Sequence, residues 1–201
     1  MLDGKKNGVW KEFSQDGVIQ KVGYYYNDSL IHQLNPQDFV LVPITFNGCE
    51  ILLPIQWNIK KDYKQALVLA VKPEVNYPET FNPTINVVSV TVPDSMTLEQ
   101  IVDANLEEIK HSVEMLKVKE TEKTGKTIKA LYFVKANNQK LGVLSAYITD
   151  NETLWIVTCM AQGDKFQFVK YKELFEEVIL TFKKRTSNGR NYSKWSKMGN
   201  N

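Results

Sequence analysis

The stretch TLEQIVDANLEEIKHSVEML, residues 97–116, decides how the rest of the chain is read. Thr97 and Gln100 have the spacing of a capping box, in which each side chain satisfies the other residue's backbone amide. Leu98, Ile101, Val102, Ile109, Val113 and Leu116 recur at helical spacing. Asp103, Glu107, Glu108 and Lys110 fall on the other side. The pattern predicts an amphipathic helix over about 97–116 with one face on a sheet.

The flanks of this helix supply the sheet. Upstream, "FVLVPITF" and "CEILLPI" are short apolar runs joined by Asn47-Gly48, a pair that favours a tight hairpin turn. "QALVLAVK" and "TINVVSVTV" read as two further strands, the second rich in β-branched residues. Downstream, "LKVKETEKT", "KTIKALYFVKA", "KLGVLSAYIT" and "TLWIVTCMA" are separated by turn signals at Gly125, Asn137-Asn138 and Asp150-Asn151. They predict an antiparallel meander. In "YKELFEEVILTFKK", Tyr171, Leu174, Phe175, Val178 and Phe182 mark the buried face of a second helix. The expected class is α+β: an antiparallel β-sheet flanked by two main α-helices, with a β-hairpin repeat at the N-terminus.

Element order and a few residues resemble the PsbP-like fold, shared with DcrB-like proteins and with the Eag chaperones of type VI secretion. The residues that carry this are Leu53, Pro54 and Trp57 in "ILLPIQWNIKKDY", the strand "INVVSVTV" before the long helix, and the helix "FEEVILTF". The resemblance covers about residues 39–184. It implies a protein that binds other proteins or supports larger assemblies, without catalysis.

The opening segment has a different texture. "DGKKNGVWKEFSQDGVIQKVGYYYND" is dense in Gly, Asn, Asp and aromatics, and poor in aliphatics. Asn7-Gly8 and Asp16-Gly17 predict tight turns around an aromatic-bearing strand. Gly8, Trp10, Phe13, Asp16, Gly17, Gly23, Tyr24 or Tyr26, Asn27 and Asp28 resemble a MORN-type repeat of the YwqK-like variant. One such unit buries its face only against neighbours. It is expected to dock on the following domain as an extension of its sheet, or to continue repeats upstream of Met1. The expected organisation is a repeat over 1–36, an α+β domain over 37–184, and a basic, disordered tail over 185–201.

Charge is uneven along the 201 residues. Lys183, Lys184, Arg185, Arg190, Lys194 and Lys197 close the chain with no acid among them, so the net +2 leaves the remainder about 4 negative. Tyr192 and Trp195 are interleaved with these cations. Cys49 and Cys159 sit in apolar stretches and read as buried free thiols. There is no long apolar run of transmembrane length and no signal-peptide pattern. The localisation expected from the chain as written is cytoplasmic. A missing N-terminal segment would change it to periplasmic or envelope-associated.

The common catalytic patterns fit poorly. "EKTGKT" ends like a phosphate-binding loop, but Glu120 stands where its first glycine belongs and strand patterns lie on both sides. His32 and His111 fall in different elements, and no His/Cys pair has metal-ligand spacing. Asp103, Glu107 and Glu108, like Glu173, Glu176 and Glu177, read as solvated helix faces. Trp57 reads as a plug at the edge of the core or as the wall of a binding groove. The expectation is a non-enzymatic protein-binding module, an adaptor, secretion chaperone or immunity-type protein, with no cofactor and no metal. Its partner contacts are expected at Trp10, Phe13, Tyr24, Tyr26 and Trp57. The alternative is a peripheral membrane or nucleic-acid binder acting through the basic residues Lys183, Lys184, Arg185, Arg190 and Lys194, with Trp195.

Overall fold

The computed structural model describes residues 5–73, 80–92, 95–150, 152–163 and 167–185. Strands β1 (Gly8–Phe13), β2 (Ile19–Tyr26) and β3 (Ser29–Leu34) form a three-stranded antiparallel sheet. A short 3-10 turn, Pro36–Phe39, leads into the hairpin of β4 (Leu41–Phe46) and β5 (Cys49–Pro54). Next come β6 (Asn58–Tyr63), β7 (Ala66–Val71), β8 (Thr84–Thr91) and helix α1 (Leu98–Ser112). The meander is β9 (Glu114–Thr124), β10 (Thr127–Ala136), β11 (Gln139–Asp150) and β12 (Thr153–Gln162). Helix α2 (Gln167–Thr181) and the two-residue strand β13 (Lys183–Lys184) complete the described chain.

Seven strands form the main sheet in the order β6-β7-β8-β12-β11-β10-β9, all antiparallel. Alternation sends successive side chains to opposite faces. On β11, Val143 and Tyr147 join the cluster under α1, built around Val102 and Leu106. Leu144 and Ala146 join the cluster of α2, which contributes Leu174, Phe175 and Val178. The helices therefore lie on opposite faces of one sheet. The β4–β5 hairpin shares the α2 side through Phe46, Ile51 and Leu53. β5 is tied to the helix end where Leu52 N donates to Thr181 Oγ1 at 2.9 Å.

The capping box of α1 is formed: Thr97 N donates to Gln100 Oε1 at 2.8 Å, and Gln100 N to Thr97 Oγ1 at 3.3 Å. The helix ends at Ser112, four residues before the expected end. Val113 is extended, and β9 begins at Glu114, opposite Lys135 of β10. Pairing along a long edge strand outweighs the helical periodicity of Val113 and Leu116. The hairpin turn at Asn47-Gly48 is present, with φ of 39° and 73°. Asn7-Gly8 does not form the hairpin turn read from the sequence, because Gly8 already belongs to β1 and pairs with Tyr25. β6 was not expected as a strand. Its sequence NIKKDY turns only Ile59 toward the core.

Candidate functional site

The N-terminal sheet is held by its turns and by α2. Gly17 takes a φ of 76° in the first turn, where Val18 N donates to Ser14 Oγ at 3.1 Å. Asn27 and Asp28 take φ of 47° and 66° in the second, a conformation these two residue types adopt at small cost. Residues before β1 clasp that turn: Lys6 N donates to Asp28 Oδ1 at 2.7 Å, and Asn27 N to Asn7 Oδ1 at 3.0 Å. The Lys6 ammonium lies 5.3 Å from the Trp10 ring centroid and 5.0 Å from that of Tyr25, within cation–π range of both.

One face of this sheet meets the main domain. Val22 is fully buried, and Val9, Ile19 and Leu34 pack against the α2 cluster. Val9 N donates to Glu173 Oε1 at 2.8 Å, and Lys11 Nζ pairs with Glu177 Oε2 at 2.7 Å. Gly8 has a φ of 87°, and a Cβ there would lie 2.5 Å from Glu173 Oε1. Glycine thus serves twice, for the backbone angle and for the approach of the carboxylate. Glu173 and Glu177, one turn apart on α2, were read as a solvated face. They are the latch of the N-terminal sheet, which seats on the helix rather than extending the main sheet. Glu173 keeps part of its surface in water, but the atoms packed round its carboxylate push its carboxyl up, and nearby Glu176 adds to this. Tyr24 is raised as well, by burial first and then by the charge of Glu173.

The expected contact residues do not gather into one patch. Register puts Tyr24 opposite Val9 on the docked face, and Trp10 opposite Gly23 on the outer face. Phe13 and Tyr26 are 58% and 62% exposed. Val18, Leu30 and Ile31, not singled out in the sequence, are exposed with them, so five large apolar side chains within residues 13–31 face solvent. Trp57 is a core residue, 3% exposed, whose Nε1 donates to the buried Asp38 Oδ1 at 3.3 Å. Asp38 also pairs with Lys72, which joins the 3-10 turn to the end of β7.

The basic residues divide into two groups. Lys183 and Lys184 form β13 on the edge of β5, and Arg185 N donates to Gly48 O at 2.7 Å. Glu50 pairs with Lys183 at 2.8 Å and with Arg185 at 2.8 Å, and Lys184 pairs with Asp150 at 2.7 Å. Hydrogen bonds from Lys183 and then Arg185 hold the Glu50 carboxyl below the ordinary range. Arg190, Lys194 and Trp195 lie outside the described residues.

Other chemistry-bearing groups have structural settings. "EKTGKT" is the β9–β10 hairpin turn. Cys49 and Cys159 are free and buried, and burial pushes both thiols up. A shallow groove of about 230 Å³ runs between α1 and the β9–β10 hairpin, past Val102, Asp103, Thr121 and Ile128. The Lys123–Glu99 ion pair borders it. Its volume is below the range of about 300–1,000 Å³ usual for small-molecule sites. No helix among the described residues is long and apolar enough to cross a membrane.

An antiparallel sheet with a helix on each face and a docked N-terminal sheet defines the class of the molecule. No family model matches the chain, and no curated protein matches it. Solved structures do. The cyanobacterial PsbP, CyanoP, of Synechocystis sp. PCC 6803 superposes with a TM-score of 0.51 at 16% identity, over 71% of this chain and 91% of that one. PA94 of Pseudomonas aeruginosa, a protein of unknown function, superposes at 0.50 with 10% identity, over 70% and 94%. The chain has a PsbP-like α+β fold. At these identities the likeness is one of fold.

Proposed function

We propose that the protein is a non-catalytic protein-binding module, with the N-terminal sheet as its recognition element. The observation that carries this reading is the concentration of exposed Phe13, Val18, Tyr26, Leu30 and Ile31 within one small sheet that docks through Val9, Ile19 and Val22. Apolar side chains concentrated on one small element are a common mark of an interaction site. The MORN-like spacing of this segment supports the same reading, since such units work by stacking. An adaptor, secretion chaperone or immunity-type protein has this design. The buried setting of both thiols and the separation of His32 on β3 from His111 on α1 support a role without catalysis.

The basic-tail alternative is less well supported. Lys183, Lys184 and Arg185 are paired with Glu50 and Asp150, and Arg190, Lys194 and Lys197 lie outside the described residues. The test is chemical crosslinking in native lysate with the full chain, a Phe13→Ser/Tyr26→Ser/Leu30→Ser variant, and a chain ending at Arg185. A partner lost only in the triple variant is the expected result. A partner lost only with the tail transfers recognition to the C-terminus and overturns the reading.

A further inference from the structure

Cations in the described residues are mostly paired. Lys11, Lys72, Lys129, Lys135, Lys184 and Arg185 each lie against a carboxylate. The β6–β7 hairpin breaks this pattern. Lys60, Lys61 and Lys64 fall within five residues, all exposed, and none makes an ion pair with a described residue. Two of the three converge on one exposed ring: the ammonium groups of Lys60 and Lys64 lie 4.8 Å and 5.5 Å from the Tyr63 centroid. Three ammonium groups against the single carboxylate of Asp62, with no ion pair among them, raise the local potential and favour an incoming anion.

The turn itself points to the side chains. Tyr63 pairs with Ala66, so Lys64 and Gln65 form a two-residue connection. Lys64 has a φ of 56° there, and Asp62 a φ of 50° just before it. Other hairpins of the molecule place glycine, asparagine or aspartate at such positions, as at Asn47-Gly48, Asn137-Asn138 and Asn27-Asp28. A lysine held in the left-handed region is strained, and strain kept at an exposed tip marks a position chosen for its side chain.

β6 is also an end strand of the main sheet, and no other strand among the described residues pairs with its outer edge. The opposite end, β9, carries both signs, and Glu114, Glu122 and Lys123 are all consumed in ion pairs with Lys135, Lys129 and Glu99. β6 carries Lys60 and Lys61 against one acid, Asp62, and its lysines make no ion pair with a described residue. Lysines on an open edge repel a second copy of the same edge. They leave it open to a strand of opposite charge, which gains main-chain hydrogen bonds and ion pairs together.

We propose that β6 accepts an acidic, extended segment of a partner protein as an eighth strand of the main sheet, selected by Lys60, Lys61 and Lys64. Alternation sets Lys60 on one face and Lys61 on the other, so carboxylates on both faces of the incoming strand find ammonium groups. A nucleic acid is less well matched. A base stacking on Tyr63 has to displace the two ammonium groups, and the hairpin has no arginine. The proposal rests on the protein-binding reading but uses a surface separate from the N-terminal sheet.

The test is titration of the isotope-labelled full chain with a decapeptide of alternating Glu and Val, followed by amide NMR. The comparison ligands are an alternating Lys–Val decapeptide, phosphatidylserine vesicles and a single-stranded oligonucleotide. The acidic peptide is expected to shift and protect the amides of residues 58–63, and to weaken as salt rises from about 0.05 to about 0.5 M. Lys60→Glu/Lys61→Glu/Lys64→Glu is expected to weaken binding about tenfold or more with the fold intact by circular dichroism. Lys64→Gly is expected to fold at least as stably as the parent and to bind more weakly. Phe13→Ser/Tyr26→Ser is expected to leave this binding unchanged, so the proposal stands or falls apart from the N-terminal sheet. Absence of shifts at 58–63, equal perturbation there by vesicles or oligonucleotide, or indifference to the charge reversal overturns it.

Discussion

The main sheet and the N-terminal sheet are both antiparallel, but they are held by different means. The seven-stranded sheet is covered on one face by α1 and on the other by α2 and the β4–β5 hairpin. Its central strands hold long buried segments, as in LGVLSAY of β11. The three-stranded sheet buries one face around Val22 and leaves the other in water. Its hold on α2 adds one main-chain hydrogen bond to Glu173 and one ion pair to Glu177. Burial on two faces makes a sheet into a core. Burial on one face, with a polar latch, makes it an attached part that retains a surface of its own.

Substitutions at three positions and one change of condition probe this difference, taken position by position in falling order of effect. Phe175→Ala removes a fully buried ring from the α2 cluster and is expected to cost about 3–5 kcal/mol. Because α2 seats both sheets, thermal melting should show the two lost together. Separate transitions would show that they are not coupled through this helix. Gly8→Ala imposes a side chain at a positive φ and against Glu173, and is expected to cost about 1–2 kcal/mol. Hydrogen exchange should accelerate in β1 to β3 while β10 to β12 stay protected. Uniform acceleration would contradict the view of an attached part.

Glu173→Ala removes the acceptor of the Val9 amide and is expected to cost about 0.5–1 kcal/mol, again confined to the N-terminal sheet. Glu173→Gln keeps an acceptor oxygen and removes the charge, so exchange rates in β1 should stay close to the parent. The smallest effect is that of pH. Glu173 has a carboxyl raised by its surroundings, so its contribution is present below the ordinary glutamate range and is lost as pH rises through its folded value. Glu50 has a lowered carboxyl, so its contribution is present above that range and is lost as pH falls through its folded value. Mild acidification should therefore slow exchange in β1 before stronger acid releases β13 from β5. The reverse order would show that the latch depends on the charge of Glu173.

Legibility in the sequence followed the same division. Elements buried on a regular face announced themselves: the capping box of α1, the Tyr171, Leu174, Phe175 and Val178 face of α2, and the glycine and asparagine turns of the hairpins. β6 did not, because an end strand with charged residues looks like a loop until its neighbour is known. The latch was also hidden. Glu173 and Glu177 have the spacing of any solvated helix face, and only the fold brings Gly8 and Lys11 to them from the far end of the chain. For the same reason the three cations at 183–185 resembled the start of a free tail, since Glu50 and Asp150, their partners, are remote in sequence. Periodicity reports which side of an element is buried. It carries no record of which polar groups meet across more than a hundred residues.

The seat of the N-terminal sheet on α2 also bears on how the chain is made. Val9 and Glu173 are separated by 164 positions. At ordinary translation rates that interval is roughly ten to thirty seconds of synthesis. For that time strands β1 to β3 are made without the helix that covers Val22, and their apolar side chains have no core to join. The N-terminal sheet is thus made well before the helix that completes it, and the nascent chain offers chaperones a site that the finished protein half conceals.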